Sequence, residues 1–230
     1  MSALHSLTID PRPALAGALR ATSAFVGGLD DAGWARATRC SEWTVRDLLY
    51  HQLLDAQRAL RAFASPSDLS SDVDYITYWR TYGPDQSAED ARSHALFVRE
   101  SAAAFRNPES LRWLWNETAE SALRAASMVS LDSRVTTQEL VLTNRDFIST
   151  LAVEAAIHHL DFLNGAYAAP SELAGALELT ALTLDGILGA RRPMPWSDEE
   201  YLLRGTGREP LSRRERTQLG QLAARFPLIT

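Results

Sequence analysis

The segment LAVEAAIHHLDF, residues 151–162, places ionisable side chains inside a stretch that is otherwise typical of a core helix. Glu154, His158 and Asp161 follow Leu151 in steps of three and four residues, a spacing that keeps them on one side of a helix. Burying a carboxylate or an imidazole is costly unless a partner or a ligand satisfies it. These side chains are therefore either paired inside the core or are themselves ligands.

Glu154 and His158 lie one helical turn apart, a spacing at which two side chains can bind the same metal ion. His159 lies about 100° further round the helix, so it is not expected to join them. Two ligands from one helix do not complete a site. A third ligand must come from another element.

Elimination among the five histidines selects His51 as the third ligand. His5 lies close to the N-terminus, and His94 has no acidic companion on its own helix face. His51 lies at the edge of an apolar helix face, one turn before Asp55. Two histidines and a glutamate with an open fourth position suit a catalytic Zn²⁺ or a related divalent ion. Asp55 and Asp161 are then predicted to accept hydrogen bonds from the outer imidazole nitrogens.

The spacing alone leaves a structural interpretation open. The pattern E-x-x-x-H is weak, and a histidine on an apolar helix face is more often a satisfied core residue than a ligand. Glu154 could instead pair with a buried arginine such as Arg46 or Arg99. Both interpretations stand at this point.

Other reactive side chains favour structural roles. Cys40, the single cysteine, is expected to be a small buried hydrophobic residue, because no base is identifiable beside it. Trp115 is expected in the core. Four C-terminal arginines could bind an anion, but interleaved glutamates favour a solvated, ion-paired surface; they are Arg208, Arg213, Arg214 and Arg216.

Composition excludes several classes of protein. The 230 residues are 46% hydrophobic and 23% charged, as in a soluble globular protein, and the net charge of −6 argues against nucleic-acid binding. No run approaches the roughly 18 apolar residues of a membrane span. The opening MSALHSLTID does not resemble a signal peptide. One cysteine cannot form an internal disulfide, so a cytoplasmic location is expected.

The periodicity of apolar residues predicts an all-α bundle. Helices are expected over 12–29, 44–64, 86–106, 109–128, 144–165 and 171–190. The β-branched, alternating residues 134–143 predict a short strand or hairpin. Residues 66–85 are expected to form a loop whose aromatic side chains pack over the domain, namely Tyr75, Tyr78, Trp79 and Tyr82. The bundle is predicted to occupy residues 10–190. Residues 191–230 are expected to form a linker and a short C-terminal appendage with one helix, from Ser212 to Arg225.

Both helices that carry candidate ligands begin at predicted N-caps. Thr44 is a good N-cap residue, and Asp47 can return its hydrogen bond in a capping box. Asn144 is predicted to cap the later helix.

Two segments together resemble a known family. TRCSEWTVRDLLYH at 38–51 and DFISTLAVEAAIHHLDF at 146–162 resemble motifs of the DinB-like superfamily. Within it, the chain is most similar to the mycothiol-dependent maleylpyruvate isomerase N-terminal-domain family, over about residues 10–190. The resemblance implies a DinB-like four-helix bundle with extra helices. It also implies a divalent metal, most suitably Zn²⁺, held by His51, Glu154 and His158.

The resemblance also implies that the thiol mycothiol is a cosubstrate that binds at or near the metal. A metal lowers the pKa of a bound thiol, and the thiolate is the active nucleophile. Its addition to an electrophilic carbon would give isomerisation or transfer of the sulfur. Maleylpyruvate isomerases carry a C-terminal α/β domain, whereas here only residues 196–230 follow the linker, so thiol transfer is as well supported as isomerisation.

Three hypotheses follow for function. The first is a metal-dependent enzyme that uses mycothiol on a small electrophilic metabolite. The second is a metallohydrolase that works through metal-bound water. The third is a non-catalytic bundle that binds a ligand or partner, with its polar residues satisfied inside the core. A homodimer through exposed helix faces is compatible with all three.

Overall fold

The computed structural model describes residues 7–80 and 88–229. His5 and Tyr82 lie outside the described residues, as does the predicted start of a helix at residue 86. The described residues form nine α-helices: α1 (Arg12–Gly27), α2 (Asp31–Trp34), α3 (Val45–Phe63), α4 (Ala88–Ala104), α5 (Pro108–Met128), α6 (Asn144–Leu163), α7 (Ala174–Leu188), α8 (Asp198–Gly205) and α9 (Arg213–Leu219). The predicted all-α class is confirmed.

Helices α1, α3, α5 and α6 form the main core. Helix α1 packs against α5 and α6, and α3 packs against the same two helices. Helix α6 is central, because every residue in it except Arg145 and Glu154 is buried. Trp115 is fully buried on α5, as predicted. The polar residues of α6 therefore lie within the core of the bundle.

The caps of the two central helices fix the register of the candidate site. Thr44 and Asp47 form the predicted capping box at the start of α3. At α6 the N-cap is Thr143 rather than Asn144, since the Thr143 hydroxyl accepts a hydrogen bond from the Asp146 amide. Asn144 lies inside the first turn, and its side-chain amide donates to the Ser130 carbonyl. The cap is thus one residue earlier than predicted.

The predicted hairpin is present and belongs to a small antiparallel sheet. Strands β2 (Arg134–Thr137) and β3 (Leu140–Thr143) form the hairpin, and β1 (Pro66–Ser67) pairs with β2. The segment predicted as a loop therefore contains a short strand. It also contains a 3₁₀ turn at Thr77–Arg80. Of its predicted aromatic cover, Tyr75 and Tyr78 are buried.

The C-terminal segment contains more structure than the single predicted helix. Helix α8 precedes α9 and begins with a capping box between Ser197 and Glu200. It packs on α7, and a second apolar cluster forms there around Trp196 and Tyr201. None of the described helices combines the length and apolar character needed to cross a membrane.

Candidate metal centre

Helices α3 and α6 bring the three predicted ligands together. One ligand atom from each of His51, Glu154 and His158 lies within 4.8 Å of the others. The Nε2 atoms of His51 and His158 are 3.2 Å apart. Two nitrogens at about 2.1 Å from a tetrahedral zinc ion are separated by about 3.4 Å. The two imidazoles therefore fit as ligands to one ion.

The two imidazoles differ in charge. Burial, together with the nearby positive charge of His158, lowers the pKa of His51 well below its ordinary value of 6.5. Burial alone would also lower the pKa of His158, but hydrogen bonds to Asp161 and Cys40 outweigh it and raise this pKa to about 10. A protonated His158 can donate its Nε2–H to the Nε2 of a neutral His51 across this distance. A metal ion would replace that proton.

The metal-free protein is expected to become less stable as the pH rises from about 7 to about 10. Because the folded-state pKa of His158 lies above 6.5, its stabilising contribution is fully present below pH 6.5 and is lost as the pH passes about 10. Urea unfolding with a chelator across this range measures the effect. The variant Asp161→Asn, which removes the carboxylate charge, should give a flatter profile. A wild-type unfolding free energy that increases over this window would contradict the assignment.

Glu154 pairs with an arginine that the sequence did not single out. Arg58 Nη2 lies 2.8 Å from Glu154 Oε2 and 3.1 Å from Asp55 Oδ1. The prediction that Arg46 or Arg99 pairs with Glu154 was therefore wrong. Arg99 Nη1 instead lies 3.7 Å from Oε2 of the exposed Glu42. Because Arg58 contacts one carboxylate oxygen of Glu154, the other remains available to a metal ion.

Asp55 lies beside the imidazole pair rather than behind it. Its Oδ2 is 3.6 Å from His51 Nε2, whereas the outer nitrogen, Nδ1, has no hydrogen-bond partner among the described residues. Burial and the neighbouring charge of Glu154 raise the pKa of Asp55 to about 7. This carboxyl group can therefore gain or lose a proton near neutral pH.

Behind His158 lies a second polar cluster. Asp161 Oδ2 is 3.0 Å from His158 Nδ1 and 3.2 Å from Cys40 Sγ. Arg208 contacts both carboxylate oxygens of Asp161, with Nε at 3.2 Å from Oδ1 and Nη2 at 3.1 Å from Oδ2. Burial alone would raise the pKa of Asp161, but its contacts with His158 and Arg208 hold it well below the usual range. The carboxylate is fully buried and ionised.

Two sequence interpretations are corrected by this cluster. Cys40 is not merely a small hydrophobic residue, since its thiol contacts Asp161 and lies 3.8 Å from His158 Nδ1. Arg208 is not part of the solvated surface, since it pairs with a fully buried carboxylate. Cys40, His158 and Asp161 also lie close enough to form a second metal-ligating group. The Arg208 guanidinium on Asp161 disfavours a cation there.

The remaining histidines have other surroundings. His94, on α4, is exposed and its ring centroid lies 5.6 Å from that of His51, at the rim of the site. His159 faces away from the ligands, as predicted, and its Nδ1 lies 3.2 Å from Thr22 Oγ1. Burial lowers the pKa of His159 to about 4, so this ring is neutral at pH 7.

A cavity of about 700 Å³ opens beside His51, Asp55 and Glu154. Trp43, Trp79, Arg58 and His94 contribute to its walls. Several buried donors of these residues have no hydrogen-bond partner among the described residues, namely the indole nitrogens of both tryptophans and Arg58 Nε. These nitrogens are buried within the walls rather than exposed to the cavity.

Comparison with known proteins now identifies the family. The sequence profile described as "Mycothiol maleylpyruvate isomerase N-terminal domain" matches residues 15–162, which is more than half of the chain. The chain belongs to this family. The three candidate ligands and Cys40 lie within the matched residues 15–162. Arg208 lies outside them.

Two solved structures support the fold of this mycothiol maleylpyruvate isomerase family member. One is a histidine-to-alanine mutant of the mycothiol-dependent maleylpyruvate isomerase, with 17% identity, a TM-score of 0.52, and coverage of 86% of this chain and 75% of that one. The other is the mycothiol-dependent maleylpyruvate isomerase itself, with 18% identity, a TM-score of 0.50, and coverage of 84% and 77%. At this identity the likeness shows the fold. A search among curated proteins finds no significant match.

Proposed function

We propose that this protein is a metal-dependent enzyme that uses mycothiol to transform a small electrophilic metabolite, by transfer of the thiol sulfur or by isomerisation. The observation that carries the proposal is the group of His51, Glu154 and His158 beside an open cavity. Membership of the mycothiol maleylpyruvate isomerase family supports mycothiol as the thiol. The metal would be held by these three side chains, with Zn²⁺ the best fit to their chemistry.

When bound, the metal would supply the positive charge that lowers the pKa of a thiol and keeps it as the thiolate at neutral pH. Asp161 accepts the hydrogen bond from His158 Nδ1 and so fixes the ring with Nε2 toward the ligand group. Arg208 holds the Asp161 carboxylate by its two contacts. The cluster behind His158 therefore orients a ligand and is not itself exposed to substrate.

Asp55 is the residue that we assign to proton transfer. Its carboxyl group lines the cavity, and its pKa of about 7 lies close to the ordinary thiol pKa of about 8.5. Asp55 would take the proton that the thiol loses as it enters the site, and the sulfur would then form a bond to the electrophilic carbon. In isomerisation the C–S bond breaks after rotation and the thiol recovers its proton. In transfer the sulfur stays on the product, and the attacked molecule either loses a leaving group or, after addition, takes up the proton held by Asp55.

Thiol-dependent turnover by metal-loaded protein tests this proposal. Two electrophiles are offered with mycothiol, with glutathione or without thiol: maleylpyruvate, for isomerisation, and monochlorobimane, whose thiol adduct fluoresces. Turnover that requires both metal and mycothiol is expected with at least one of them. Asp55→Asn should lower the rate constant by about 10²- to 10⁴-fold while the metal content is retained.

Thiol-independent hydrolysis of 4-nitrophenyl acetate at a metal-dependent rate would instead support the metallohydrolase hypothesis. Metal-loaded protein inert toward all three substrates, with or without thiol, would contradict both enzymatic assignments. The non-catalytic bundle would then be the better description. A cytoplasmic location and a homodimer stay predictions.

A further inference from the structure

A second cavity, of about 520 Å³, lies on a different face of α6 from the metal centre. It is formed between α1 and the segment that follows α6. Phe25, Leu163, Tyr167 and Pro170 give it largely apolar walls. The proposed chemistry at His51 and Glu154 does not use it.

The buried polar group on the wall of this cavity is His159, which is only 1% exposed. Its Nδ1 is 3.2 Å from the hydroxyl oxygen of Thr22, which is fully buried. The Thr22 hydroxyl has no other hydrogen-bond partner among the described residues, so donation of its proton to His159 Nδ1 is the arrangement that pairs this buried hydroxyl proton. In that arrangement the ring carries its own proton on Nε2.

The Nε2–H of His159 has no acceptor among the described residues. A ligand that brings an acceptor oxygen to this N–H gains a hydrogen bond. The opposite wall is held in place independently, because the Arg36 guanidinium lies 5.3 Å from the ring centroid of Phe25 and 5.0 Å from that of Tyr167. Arg36 Nη1 also donates to the Tyr167 hydroxyl at 3.0 Å.

We propose that this cavity binds a small uncharged molecule with an aromatic or otherwise apolar body and one carbonyl oxygen, which accepts a hydrogen bond from His159 Nε2–H. The apolar walls select the body of the ligand, and the buried His159 donor selects the oxygen. Arg20 and Glu172 lie at the cavity with opposite charges and do not select a charged ligand. This site is independent of the proposed mycothiol chemistry.

A matched pair of probes tests the proposal: acetophenone, which carries a carbonyl, and ethylbenzene, which does not. Titrations followed by NMR should show acetophenone shifting the resonances of His159 and Phe25 but not those of His51. Ethylbenzene should bind roughly five- to tenfold more weakly, since it lacks one hydrogen bond. The ring-nitrogen spectrum of the unliganded wild-type protein should show the Nε2–H tautomer of His159.

Two variants test the space of the cavity and its hydrogen-bond donor separately. Ala24→Leu, at an exposed position on the cavity wall, should weaken both probes at least tenfold without affecting metal content. His159→Phe should remove the preference for acetophenone over ethylbenzene. If this variant does not fold, two measurements on the wild-type protein still test the proposal. They are the tautomer of His159 and the affinity for acetophenone relative to ethylbenzene. Failure of acetophenone to bind, equal affinity for the two probes, or the Nδ1–H tautomer would overturn the proposal.

Discussion

Arg208→Ala is expected to lower the free energy of unfolding by about 3–5 kcal/mol, the usual cost of removing one partner from a buried ion pair. Asp161 is fully buried, and Arg208 contacts both of its carboxylate oxygens. Without the guanidinium, an ionised carboxylate would remain in the core with only His158 and Cys40 as side-chain partners. Chemical denaturation of the metal-free protein measures the loss.

Matched controls make the Arg208 result specific. Arg213→Ala, at an exposed position in the same C-terminal segment, should change stability by no more than about 0.5 kcal/mol. Arg208→Lys should recover only part of the loss, because lysine cannot make the paired contact with both oxygens. A loss below about 1 kcal/mol for Arg208→Ala would show that this contact is not important for holding Asp161.

His158→Ala is expected to weaken Zn²⁺ binding by at least about a hundredfold. Substitution of a residue that only orients a metal ligand typically weakens metal affinity 10- to 100-fold. Removal of the ligand itself should therefore weaken the affinity at least about 100-fold. Competition with a chromophoric chelator measures the affinity. His94→Ala is the matched control, because His94 is exposed, adjoins His51 and lies outside the ligand group.

His94→Ala should therefore bind Zn²⁺ as the wild type does. An equal loss of Zn²⁺ affinity in His158→Ala and His94→Ala would indicate that the ion binds at the cavity rim rather than between α3 and α6. Wild-type affinity in His158→Ala would remove this histidine from the ligand set.

Local rules predicted the parts of the site that lie within one helix. The spacing of Glu154, His158 and Asp161 follows from helix geometry, and the structure places all three along α6. The capping box of Thr44 and Asp47 is likewise a local pattern, and it fixes the position of His51 on α3. Within a helix, residues three or four apart are neighbours whatever the tertiary fold, so their relation is visible in the sequence.

Tertiary contacts supplied what the sequence did not reveal. Arg58 lies 96 residues before Glu154, and Arg208 lies 47 residues after Asp161, so no periodicity connects either pair. Cys40 meets Asp161 across 121 residues. In each case the residues flanking the charged or reactive side chain gave no sign of a partner. The partner was supplied by the packing of segments that are distant in sequence. Helix α8 carried a local signal, the capping box of Ser197 and Glu200, that could have predicted it.

The most direct test of the central claim is the visible and near-ultraviolet spectrum of the Co²⁺-substituted protein during titration with mycothiol. If His51, Glu154 and His158 hold a metal ion with an open position for a thiol, Co²⁺ should bind at one equivalent. Mycothiol should then produce a sulfur-to-cobalt charge-transfer band, and His158→Ala should show neither. A wild-type protein that binds no Co²⁺, or whose cobalt spectrum mycothiol leaves unchanged, would contradict the account.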